Sequence, residues 1–195
     1  MKTHRIQLFT IALMLIGSTV GSMSANAAFL GETVRLQGFF PNLNNPISVP
    51  FDAVVGSGVE FHELDTGGLP GYIVADVEVD VTNNSITWDF VNTGGFTTFP
   101  SAEFNGHVLT DINDTIPAIT DVTIDAASTT FSLDPSRVFF NVDQVFFNVE
   151  GLSIDQGNLV KVNVEFVPLP AAIWFFLSGV LVLGASSGRL SKRYR

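Results

Sequence analysis

The chain has 195 residues, no cysteine and a formal net charge of −10, from 19 acidic and 9 basic side chains. Hydrophobic residues make up 46% and charged residues 14%, against about 25% charged in an ordinary soluble domain. These values exclude a disordered chain, a disulfide framework, a thiolate metal site, a cysteine nucleophile and a general affinity for nucleic acid, whose phosphates need a positive surface.

The apolar residues gather in separate segments. Met1-Lys2-Thr3-His4-Arg5 is a short basic head, residues 6–20 are apolar and uncharged, and Ala25-Asn26-Ala27 has the small-x-small form of a cleavage site. Together they read as a secretory signal peptide over residues 1–27, handled by the secretion machinery and cut after Ala27, with Ala25 and Ala27 at the small positions.

The body, residues 28–166, is a series of short alternating runs. Strands are predicted at 33–37, 71–81, 85–91, 122–124, 129–133, 137–142, 144–149 and 159–166. The second and third form a hairpin through Thr82-Asn83-Asn84. Gly56-Ser57-Gly58, Thr66-Gly67-Gly68, Thr93-Gly94-Gly95 and Asp155-Gln156-Gly157-Asn158 supply turns. No helical apolar period exceeds about two turns, so the body reads as one all-β domain, an antiparallel sandwich or jelly roll. Trp88 alternates with Ile86 and Phe90 on the predicted core face. The doublets Phe139-Phe140 and Phe146-Phe147 put one ring on each sheet face, so one of each pair is either an apolar patch or covered by a neighbouring segment.

Residues 167–195 close the chain with a second apolar segment. Val167-Pro168-Leu169-Pro170-Ala171 leads into an uncharged run to Ala185, and Arg189, Lys192, Arg193 and Arg195 form a basic tail. As a helix this run is long enough for a thin hydrocarbon core, and the basic cluster keeps the tail cytoplasmic and the body outside.

This segment resembles a PEP-CTERM-type sorting signal, in the variant that opens with V-P-L-P-A. Trp174-Phe175-Phe176, Ser178-Gly179 and the basic end follow in the order that family shows. The sequence has Leu169 where the name-giving motif has Glu. The resemblance implies recognition by a membrane-embedded exosortase and delivery to the cell surface or the exopolysaccharide matrix. Val55-Gly56-Ser57-Gly58-Val59-Glu60-Phe61 and the stretch from Phe104 to Asp111 also resemble the bodies of such exported β-proteins, and carry no catalytic residues over.

The body offers little catalytic chemistry. His62 reads as a solvent-face residue, and His107, after Asn105-Gly106, as a turn residue. No G-x-S-x-G elbow and no H-E-x-x-H pair occurs, so no catalytic residue is assigned. Carboxylates are more plentiful. Asp76, Glu78 and Asp80 share one face of the predicted 71–81 strand, with Val77, Val79 and Val81 on the other. They read as a solvated outer face, or as oxygen ligands for Ca²⁺, two of which can reach one ion. Asp111, Asn113 and Asp114 form a second candidate Ca²⁺ loop that lacks the glycine and distal glutamate of an EF-hand. Asn83-Asn84-Ser85 and Asn113-Asp114-Thr115 match glycosylation acceptors, of little weight in a bacterial context.

The expectation is therefore a non-enzymatic exported protein with a structural or adhesive β-domain and no resident cofactor. A carbohydrate- or calcium-binding module is the alternative, and a secreted hydrolase a weaker one. Sugar platforms use exposed Trp or Tyr, and the body has only Trp88 and Tyr72.

Overall fold

A computed structural model describes residues 29–94 and 97–167. The signal peptide, the sorting residues Pro168 to Ala171, the apolar span and the basic tail lie outside the described residues.

The described chain is all-β, with two main antiparallel sheets and two short 3-10 turns. Its strands are β1 (Thr33–Phe39), β2 (Phe51–Val54), β3 (Glu78–Val81), β4 (Ser85–Asp89), β5 (Thr97–Thr98), β6 (Gly106–Asp111), β7 (Ile119–Ile124), β8 (Val138–Phe140), β9 (Gln144–Asn148), β10 (Ser153–Ile154) and β11 (Leu159–Phe166). Five pair in the order β2-β1-β6-β9-β8, and four in the order β3-β4-β11-β7; β10 and β5 form a separate small ladder.

Alternation determines which side chains enter the core. In β11, Val160, Val162 and Val164 are buried, while Lys161, Asn163 and Glu165 point outward. Its neighbour β4 repeats the rule with Ile86 and Trp88, and β3 with Val79 and Val81. From the five-stranded sheet, Val34, Leu36, Leu109, Val145 and Phe147 enter the same cluster. Trp88 and Phe147, one from each sheet, meet with ring centroids 4.8 Å apart. Each such fully buried side chain contributes about 1.5–3 kcal/mol relative to exposure. At one side the sheets are tied by the Ile119 N–H, which donates to the Val142 carbonyl at 3.0 Å.

The predicted hairpin is present, with Glu78 opposite Asp89 and Val81 opposite Ile86. The predicted 71–81 strand is shorter, because residues 71–77 have no ladder partner among the described residues. The predicted strand at 129–133 is absent. Thr130 Oγ1 accepts the Leu159 N–H at 2.8 Å and Thr129 Oγ1 the Lys161 N–H at 3.2 Å, so hydroxyls take the place of ladder carbonyls. The strand predicted at 137–142 starts one residue later, because Asp134 accepts the Ser136 N–H and Pro135 opens a 3-10 turn there. Strands β2, β5, β6 and β10 had no predicted counterpart.

The outer face of the five-stranded sheet carries a second apolar cluster. Phe146 stacks on Phe139 with centroids 4.8 Å apart, and Phe104 packs edge-on against both. Phe104 is thus the loop residue that covers the doublets; Phe146 is only 8% exposed, whereas Phe139 remains 38% exposed.

Candidate functional site

The two sheets do not close on each other everywhere. A cavity of about 620 Å³ opens between them at one end. Its floor comes from the five-stranded sheet, where Gly38, His107 and Phe147 stand in register across β1, β6 and β9. Gly38 contributes no side chain to that row, and Ile47 packs into the space beside it. Gly106 allows β6 to lie close to β9, since a Cβ there would overlap the Phe147 carbonyl oxygen. The unpaired stretch 71–77 forms one wall. Phe90 and the segment Thr98 to Pro100 form another.

The lining is mainly aromatic and aliphatic: Phe40, Ile47, Val74, Phe90, Phe99, Phe147 and Val149. Few polar groups reach it. They are the carboxylates of Asp65 and Asp76, the imidazole of His107, the amides of Asn92 and Asn105, the hydroxyls of Thr93 and Thr98, and the exposed Tyr72 at the rim. No lysine or arginine lines it among the described residues.

Two of these groups are electrostatically perturbed. His107 is half-buried on the inner face of β6, at the cavity floor, and desolvation pulls its pKa from 6.5 down to about 4. It is therefore a neutral imidazole at physiological pH. The Asp76 carboxyl is raised above its ordinary value, first by burial and then by the nearby charge of Asp65. The Leu64 backbone N–H opposes the shift, while Glu78 and Glu63 reinforce it. Its Oδ1 is nevertheless buried with no hydrogen-bond partner among the described residues. A carboxylate oxygen held this way is a cost to the fold.

The structure separates the residues singled out in the sequence. His107 is not a turn residue but part of a central strand, facing inward. Its position was legible only through pairing with Phe147, because Asn105-Gly106 imitates a turn. His62 is exposed, as expected. Asp76 is not on a strand face with Glu78 and Asp80. It lies in the unpaired stretch and lines the cavity, whereas the other two stand on the outer face of β3. Glu78 accepts the Asn92 amide at 3.1 Å. Asp80 is raised by burial and by Glu60, with Lys161 opposing.

In the second candidate loop, Asp111 is buried and already engaged. Its two oxygens accept the backbone N–H groups of Asn113 at 3.1 Å and Ile116 at 2.7 Å. Asp114 adopts a left-handed conformation with φ 54°. The three residues Asp111, Asn113 and Asp114 thus build a loop closure. No group of three or more His, Asp or Glu side chains that can hold a metal ion forms among the described residues. Trp88 is 0% exposed and cannot serve a sugar platform.

The sequence reading missed the cavity and, with it, Asp65 and Asn105. The available signal was Gly71 inside an otherwise alternating run, a residue with φ +90° that interrupts pairing. No family model, no curated protein and no solved structure matches this chain.

Proposed function

We propose that the protein is an exported, non-catalytic surface or matrix component. Its body is a single antiparallel β-sandwich of jelly-roll type with a structural or adhesive role. It is tethered by a transmembrane helix and processed by an exosortase-type enzyme. The observation that carries this reading is the junction at Val167. The Val167 N–H donates to the Ala118 carbonyl at 2.9 Å, immediately after β11, so backbone pairing reaches the first residue of the V-P-L-P-A segment. A folded body joined to such a segment without a linker suits a domain presented close to a membrane and then released or anchored as a unit.

Charge supports an extracellular role. The body carries all 19 acids and only Arg35, Arg137 and Lys161 as cations, a formal −16. Such a surface is well solvated and meets an acidic polysaccharide through divalent ions or neutral faces. The test is mass spectrometry of the protein recovered from its native cell surface. An N-terminus at Ala28 and a C-terminus lacking Arg195 are expected. Recovery of the intact chain ending in Arg195 would overturn processing. The cavity favours a second reading of the body as a ligand-binding module, with the ligand class argued next.

A further inference from the structure

We propose that the inter-sheet cavity is a binding site for an organic cation with an apolar body, an aryl- or alkyl-ammonium. Its ammonium group meets the carboxylates of Asp65 and Asp76 that line the cavity, and its body lies among Phe40, Phe90 and Phe99. This goes beyond the surface role and does not depend on how the C-terminus is processed.

Two features converge. The volume, about 620 Å³, lies in the range of small-molecule sites and is lined mainly by apolar side chains with a few polar groups. The charge in the lining has one sign: Asp65 and Asp76 are present and no lysine or arginine is, among the described residues. An anionic ligand would thus meet two carboxylates and no counter-charge. A cation answers the Asp65, Glu78 and Glu63 charges acting on Asp76, which a neutral ligand leaves unrelieved. Aromatic rings beside the site add an attraction specific to cations.

The test uses the full chain in nanodiscs of zwitterionic lipid, with empty nanodiscs as blank. Binding of 2-(1-naphthyl)ethylammonium is compared by calorimetry with its neutral isostere 2-(1-naphthyl)ethanol and with the anion 1-naphthylacetate. The ammonium is expected to bind at least about tenfold more tightly than the alcohol, and the anion not at all. Asp76→Asn keeps the shape and removes the charge, and is expected to abolish that preference. Thr98→Trp, at an exposed rim position, is expected to weaken binding by a similar factor with an unchanged melting temperature. Equal binding of alcohol and ammonium, no saturable binding of the ammonium, or an affinity untouched in a folded Thr98→Trp protein would each overturn the proposal. Mass spectrometry of the termini is indifferent to all of these outcomes, so the two readings fail separately.

Discussion

Folding and protonation are coupled most directly at His107. Its imidazole is at the cavity floor with a pKa of about 4, against 6.5 for an ordinary histidine. A base with a depressed folded pKa stays neutral in the fold, while the unfolded chain takes up the proton first. Its contribution to stability is full above the unfolded pKa and is lost as pH falls from there through the folded value. A shift of about 2.5 units is worth about 3 kcal/mol in total. At about pH 5 the unfolded imidazole is almost fully protonated and the folded one mostly neutral, so about 2 kcal/mol is already gone. Asp76 and Asp80 work in the opposite direction. Their folded pKa values are raised, so they favour the fold as pH drops. The measurement must therefore be a difference. Urea unfolding of the full chain in mild detergent, followed by circular dichroism, is run at about pH 7.5 and pH 5 for the wild type and for His107→Gln. The acids cancel between the two proteins. The wild type is expected to lose about 2 kcal/mol more than the variant on acidification. Parallel losses, within about 0.5 kcal/mol, would show that His107 is solvated in the fold and that its desolvation is not what couples folding to pH.

Gly106→Ala forces a Cβ into the Phe147 carbonyl and is expected to cost about 1–3 kcal/mol, read as a lower urea midpoint. Phe146→Ala is expected to cost about 3 kcal/mol and Phe139→Ala clearly less, since only the first ring is buried; their double-mutant cycle should show a coupling of about 0.5–1.5 kcal/mol for the stacked pair. Trp88→Phe is expected to cost less than about 2 kcal/mol despite full burial, because Nε1 has no hydrogen-bond partner among the described residues and its removal relieves a desolvated donor; a loss as large as that of Trp88→Ala would contradict this. Asp52→Asn breaks the bidentate pair with Arg35, yet both groups are exposed, so a melting shift equivalent to no more than about 1 kcal/mol is expected.

The body's three cations are all committed away from the cavity. Arg35 pairs with Asp52 opposite it in β2. Arg137 pairs with Glu150 at 2.7 Å and also donates to that residue's carbonyl. Lys161 lies on the outer face of the four-stranded sheet, where its charge opposes the burial-driven rise at Asp80 and adds to the lowering that the Ser128 hydroxyl produces at Asp125. Outside the cavity, acids are relieved by cations, by backbone N–H groups as at Asp111, or by solvent. Inside it, Asp76 has one oxygen without a partner among the described residues and only the Leu64 N–H opposing its raised pKa. The local sign of the cavity is thus set by where the few cations were placed, more than by the total charge.

Alternation explains why much of the fold was legible and the cavity was not. A strand's period shows which residues face inward, and this held for Val77, Val79 and Val81 in turn. It is silent about whether a neighbouring strand supplies hydrogen bonds. In residues 71–77, Val74 and Val77 are buried, yet the stretch pairs with no strand among the described residues. A paired strand there would have carried its side chains to the other sheet and left less space between them. The same stretch therefore produced an over-long predicted strand and a wall of the cavity. His107 failed for the complementary reason. Asn105-Gly106 is a strong local turn signal, but the glycine is needed because β9 passes too close for any Cβ, and that approach is a tertiary fact. Asp111 shows a third case, in which a calcium-like spacing serves to cap backbone N–H groups within its own loop. Local residue type reports correctly on what a side chain can bond to. The partner is decided by which strand arrives beside it, and at Asp76 none does among the described residues.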